Sequence, residues 1–232
     1  MHNQILMSFT FFGAVLSLEG YFIGVFLKRK LKLSIFNPLL IAIIFVILVL
    51  LAFNIDYEAY NTSADILSYF LTPATVCLAV PLYEQLSLLR KNLYAVLLSI
   101  LSGCIASCLS VLLIAVLFSL SHEQYVTLLP KSITTAIGMG ISGELGGITS
   151  ITAAVIIITG IFGNMISGIV FRIFKIKHPV ARGVALGTSA HAIGTAKALE
   201  YGEVECAMSG LSIAVAGIMT VFIAPLFASF LK

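Results

Sequence analysis

The chain has 232 residues, 60% of them hydrophobic and only 10% charged, with a formal net charge of +3 and a mean hydropathy of +1.12. A soluble core of this length does not need so much apolar surface, so the composition excludes a water-soluble domain and makes the lipid bilayer the first partner. The basic residues sit at the ends of apolar runs and not on one face, so they report orientation and no nucleic-acid partner is expected.

The first apolar run, Ile5 to Leu27, is too long for a signal-peptide core and is followed at once by Lys28, Arg29, Lys30 and Lys32. It reads as a retained span with the amino terminus outside and the basic loop cytoplasmic. Pro38 to Phe53 is the second run, and the acidic connection after it, with Asp56 and Glu58, is expected outside. Residues 65–85 are apolar but carry Pro73 and Pro81 around ATVCLAV. Each proline removes a backbone donor and clashes with the preceding turn, leaving about two turns of compromised helix. Either these are tolerated kinks, or the stretch is unwound and turns Thr72 and Thr75 toward a ligand.

Leu93 to Leu120 is an uninterrupted span that follows Arg90 and Lys91 and leads to the outward Glu123. The next segment, PKSITTAIGMGISGELGGITS from Pro130 to Ser150, is dense in glycine. Placing Glu123 outside and Arg172 inside leaves an odd number of crossings between them, and Ile151 to Phe174 supplies one. Residues 131–148 are therefore expected to enter from outside and return as a re-entrant loop. Lys131, Ser132, Thr134 and Thr135 open it, combining a helix amino terminus with hydroxyls and a cation, an arrangement suited to an anion; the alternative is a lysine that snorkels to the interface. Glu144 is either a coupling carboxylate or a solvated turn residue.

Residues 181–200 form the second interrupted segment, which carries GTSAHAIGTAKALE and is expected to rise from inside to outside with a break near Gly194. A half-helix starting at Thr195 would present unpaired N–H groups. Ser189 and Thr195 supply hydroxyls, and His191 is ionisable at membrane depth, which makes it a functional candidate; the competing reading is close helix packing through Gly, Ser and Thr. Lys197 and Glu200 share a helical face and can neutralise each other. Ala207 to Phe230 is the last span, ending at a cytoplasmic Lys232.

The expected fold is thus one all-α polytopic domain over 1–232, with about seven transmembrane helices and a re-entrant loop. Discontinuous helices at 65–85 and 181–200, one in each of the halves 1–120 and 121–232, suggest an inverted repeat. Cys77, Cys104, Cys108 and Cys206 lack metal-ligand spacing and read as small apolar residues. No metal or cofactor is expected. Gly140 to Gly143 matches the GxSG of rhomboid proteases, with Ser142 as nucleophile, and Ala190 to Gly194 resembles their AHxxG. The chain has no Trp and no HxxxN in a span, so an enzyme is not expected.

Three blocks carry a family resemblance: TPATVCLAVPLYEQ from Thr72, LLPKSITTAIGMGISGELGGITSITA from Leu128, and ARGVALGTSAHAIGTAKALEYGEVECAMSGLSIAVAGIMT from Ala181. The chain resembles the LrgB/CidB (YohK-like) membrane proteins, whose relatives include the carboxyl-terminal half of the plastid glycolate/glycerate transporter. Thr149 departs from a proline expected in many relatives. The resemblance implies a bacterial plasma-membrane protein paired with a smaller LrgA/CidA-type membrane protein, and a homo-oligomer is also expected. It implies two candidate functions, holin-like or antiholin-like regulation of murein hydrolase export and cell lysis, or carriage of small monocarboxylates such as pyruvate, glycolate or glycerate. The broken helices favour the carrier, because irregular backbone and hydroxyls are costly in lipid without a ligand. The site expected for a small carboxylate anion then comprises Thr72, Pro73, Thr75, Pro81, Lys131, Ser132, Thr134, Thr135, Ser142, Ser189, His191, Gly194 and Thr195. His191, Glu144 and Glu200 are the proton-coupling candidates.

Overall fold

The computed structural model describes residues 11–31, 37–70, 73, 77, 83 and 86–231. Every regular element among them is helical, and the chain divides into two compact units, Met1–Cys77 and Leu78–Lys232. The expected interruption at 65–85 lies mostly outside the described residues, including Thr72, Thr75 and Pro81; Pro73 is helical and exposed.

In the first unit, α1 (Phe12–Leu31) packs on α2 (Pro38–Ala52) and α3 (Tyr57–Ala64), which runs into a 3-10 turn at Asp65–Phe70. Asn37 starts α2, accepting from the Leu39 amide at 2.8 Å with Pro38 in the first turn, where its missing N–H costs nothing. Gly13 brings α1 against α3, and its amide, one of the orphan donors of a helix start, donates to Ser63 Oγ at 2.9 Å.

The second unit holds α4 (Leu86–Leu117), α5 (His122–Leu128), α6 (Thr135–Glu144), α7 (Thr149–Ile173), α8 (Pro179–Leu199) and α9 (Glu203–Ala228). Among the described residues, three helices are long and apolar enough to cross a membrane: Arg90–Leu117 within α4, α7 and α9. Helices α4 and α9 run parallel. Val96 and Ile100 share a core with Ala207 and Met208, whereas Cys108 and Ala115 pack at the level of Ala228. Ser121 closes a capping box at the start of α5, and the Tyr125 hydroxyl donates to the Phe227 carbonyl at 2.8 Å, fixing α5 to the carboxyl end of α9.

The glycine-rich segment is not an irregular loop. It is regular helix over Thr135–Glu144, ten residues that rise about 15 Å, half the thickness of a bilayer core. Helix α5 descends from the carboxyl end of α9, and α6 returns, with Ile137 at the level of Gly217 and Leu145 back beside Ile223. The turn between them, 129–134, is the deep tip of a helical hairpin.

Helix α8 departs from a second expectation, for it does not run on from one end of the unit to the other. At His191 the backbone takes φ 42°, ψ −133°, and the chain folds back on itself. Gly194 then lies so close to Leu186 that a side-chain carbon there would stand 2.2 Å from the Leu186 carbonyl. Eight residues apart in one straight helix these groups would be separated by about 12 Å. The break thus falls at His191 and not at Gly194, whose missing side chain instead lets the two arms touch. The Arg182 guanidinium, on the first arm, lies 5.5 Å from the Tyr201 ring just beyond the second.

This fold-back also reverses the end of the chain. Glu203 begins α9 at the same end as Pro179, so the acidic residues 200–205 lie beside the basic residues 172–182. Leu231 sits beside His122 at the opposite end. Residues 172–182 and the carboxyl terminus, expected on one face, therefore lie at opposite ends of this unit.

Candidate functional site at the hairpin tips

The two hairpins enter the second unit from opposite ends, and their tips meet beside the middle of α4. Lys131, at the tip of α5–α6, places Nζ 3.2 Å from Ser107 Oγ and 3.3 Å from Ser132 Oγ. Ser107 in turn donates to Ser132 at 3.0 Å. From the other hairpin, the Thr188 methyl packs on Gly103 of α4, while its buried hydroxyl has no hydrogen-bond partner. A void of about 10 Å³, lined by Ser107, Ser132, Thr188 and Thr220 among others, lies between the tips and is just large enough for one water molecule.

A groove of about 680 Å³ opens onto this junction between α4 and α8, running from Asn92 and His178 to Ser110 and Lys131. On α4 it is floored by Ala95, Ser99, Gly103, Ser107 and Ser110, whose spacing of three or four keeps them on one helical face. A second groove of about 330 Å³ lies between α7 and α8 and shares Lys131, Ser132, Ala185 and Ser189 with the first. Ser189 is exposed here and donates to its own Ala185 carbonyl at 2.6 Å.

His191 and Thr195 face away from both grooves. The His191 ring occupies the space that Gly160 leaves on α7 and meets the Ile156 carbonyl at 2.9 Å. A carbonyl only accepts, so Nε2 carries the proton. Asn164 donates to the Ile193 carbonyl at 3.1 Å, and Thr195 Oγ1 is 2.8 Å from Ser209 Oγ. These are clamps that hold the tip of α8 onto α7 and α9.

The remaining expected residues are dispersed. Thr134 caps α6 without a side-chain bond, Thr135 follows it, and both are half-buried. Ser142 is fully buried and 2.7 Å from Thr152 Oγ1, so its hydrogen bond goes to a threonine of α7 and not to His191. Glu144 is exposed, and Glu200 is exposed and paired with Lys197. Of the expected set, the structure gathers Lys131, Ser132 and Ser189. Sequence reasoning omitted Ser99, Gly103, Ser107 and Ser110, a polar and small stripe legible in the helical period, and Asn164, a lone amide in an apolar span.

These features define a polytopic helical membrane protein in which two half-length hairpins converge on a polar junction. The chain belongs to the LrgB-like family, whose model matches residues 17–230. Curated relatives named antiholin-like protein LrgB, from Bacillus cereus (strain B4264) and Bacillus anthracis (strain A0248), are each 38% identical over 222 residues, covering 95% of this chain and 96% of the relative. No solved structure matches the chain. The relatives' name overturns the monocarboxylate carrier that the broken helices favoured and supports the regulatory alternative. The inference from irregular backbone fails at α8, whose interruption satisfies itself: the clamps above give its tip hydrogen bonds without any ligand.

Proposed function

We propose that the chain is an antiholin-like protein of a bacterial plasma membrane that regulates murein hydrolase export and cell lysis. The observation that carries this reading is the 38% identity over nearly the whole chain to relatives named antiholin-like protein LrgB. The architecture is compatible with it, since a long lateral groove offers a surface for another membrane protein, and a smaller LrgA/CidA-type protein is the proposed associate.

In this reading α4, α7 and α9 are spans and the hairpins are re-entrant. Basic residues 90–91 and 172–182 face the cytoplasm, which puts the carboxyl terminus outside. The inverted repeat is α4 with α5–α6 against α7 with α8. A shift of 56 residues aligns Ala136, Ile137, Gly138 and Glu144 with Ala192, Ile193, Gly194 and Glu200, and Ser132 with Thr188. The test is complementation: the chain is expressed in Bacillus cereus lacking its own antiholin-like LrgB, and autolysis and murein hydrolase activity are followed. Restored restraint of lysis is expected. Unchanged lysis with the protein present in the membrane would overturn the reading.

A further inference from the structure

The groove between α4 and α8 is lined by small residues and ends at a lysine. Asn92 and Ser110 bound it along α4, a length of about 27 Å that matches the apolar thickness of a bilayer. Its floor is small and mostly apolar, with serine hydroxyls set among alanine, glycine and valine. At its deep end Lys131 bonds only to the hydroxyls of Ser107 and Ser132, and no carboxylate faces it among the described residues. Thr188, 7% exposed at the same junction, has a fully buried hydroxyl without a hydrogen-bond partner. A cation held at this depth without an anion is costly, and such residues pair with one another across helices.

We propose that the groove seats a membrane-spanning helix of a different protein, one with small residues on the docking face and a single carboxylate at mid-depth that pairs with Lys131. The small residues Ala95 and Gly103 of α4, with Ala185 of α8, let a partner backbone approach closely.

A second copy of this chain fits less well. Among the described acidic residues, Glu19 is the one more than a turn inside a helix of at least 20 residues, exposed on α1, whereas Glu203 and Glu205 stand in the first turn of α9. It lies nine residues from the basic end at Lys28, about 14 Å, whereas Ser107 lies sixteen residues from Lys91, about 24 Å. The charges would sit at different depths. The proposal rests on the antiholin-like reading only in expecting a membrane partner, and its test reads binding and not lysis, so either can fail alone.

The full chain, labelled at the exposed Cys77, is reconstituted in phosphatidylethanolamine and phosphatidylglycerol vesicles with a labelled 24-residue leucine–alanine helix bearing one central glutamate, or its glutamine twin. Energy transfer is expected to show the glutamate helix binding at least about tenfold tighter than the glutamine one, a preference lost in Lys131→Gln. Ser99→Phe, which fills the groove at an exposed position away from Lys131, is expected to abolish binding with the melting temperature unchanged. Equal binding of both helices, or binding that survives Ser99→Phe, would overturn the proposal. So would a benzophenone side chain at position 99 that crosslinks, without added peptide, to lipid, to its own chain or to a second copy.

Discussion

The two hairpins of the second unit are the same device finished in two ways. The tip of α8 is closed: an imidazole, an amide and a pair of hydroxyls tie it to α7 and α9, and a glycine lets its arms touch. The tip of α5–α6 is open, with Lys131 reaching only neutral hydroxyls at the end of a wide groove. The contrast separates residues that hold the fold from residues left for a partner, although both kinds look alike as polar intruders in an apolar sequence.

The largest effect expected concerns sidedness, which would fail outright if α8 crossed. Single cysteines in place of Lys177 and Glu203, in a chain with its own cysteines replaced, are expected to label from one side of the membrane, and a cysteine in place of Glu123 from the other. Opposite labelling of positions 177 and 203 would return α8 to a continuous span and dissolve the comparison.

Substitutions at the arm contact come next. Gly194→Val would drive a branched side chain into the Leu186 carbonyl and the Ala190 methyl, neither of which is a movable chain end. A cost of about 3 kcal/mol or more is expected, at the upper end of overpacking, read as lost thermal stability in detergent. Gly187→Val is expected to be comparably damaging for a different reason, because its contact is the Ser209 carbonyl of α9. Gly183 and Gly187 together form the small-xxx-small face on which α8 and α9 pack.

His191 tests whether the closed tip stores strain. Its positive φ is unfavourable for any side chain, and ψ −133° lies outside the usual left-handed region. His191→Ala keeps that strain and loses both the ring packing against Gly160 and the bond to Ile156. His191→Gly loses the same contacts but relieves the backbone. The glycine variant is expected to be the more stable of the two by about 1 kcal/mol. The opposite order in a melting comparison would remove strain from the account.

How much of this was legible in the sequence follows from the same residues. Composition decided the solvent, and the polar intrusions at 131–135 and 187–195 marked the two places where the chain turns inside the bundle. The turn itself was not legible, because it sits on a histidine, and a break is expected at glycine or proline. The sequence therefore predicts the break at Gly194, whose role is to let the arms approach. Fold-back depends on a pairing between distant residues, His191 with Gly160 and Ile156, and no local pattern reports that. The carrier reading fails at the same point, since a broken helix is an unsatisfied one only where it lacks distant partners, and the tip of α8 has them.

The wall behind the open hairpin gives a moderate effect. Thr152, fully buried on α7, donates to the Thr127 carbonyl at 2.9 Å and lies 2.7 Å from Ser142 Oγ, tying both arms of α5–α6 to one residue. Thr152→Val keeps the shape and leaves both partners short of a hydrogen bond, so a loss of about 1–2 kcal/mol is expected. A loss below about 0.5 kcal/mol would mean that the hairpin is held by packing alone.

The smallest effect is expected at Thr188, and its sign carries the meaning. Threonine and valine have the same shape, and the Thr188 hydroxyl is buried without a partner, so the folded chain gains nothing from it. In the isolated protein Thr188→Val is expected to be neutral or stabilising by up to about 1 kcal/mol, the reverse of Thr152→Val one helix away. Two buried threonines, one bonded and one orphaned, thus give opposite responses to the same substitution. If Thr188→Val destabilised the isolated chain as Thr152→Val does, the hydroxyl would already be satisfied within the chain, by a water in the void beside it or otherwise. The junction would then be finished like the tip of α8, and the contrast between a closed hairpin and an open one would be lost.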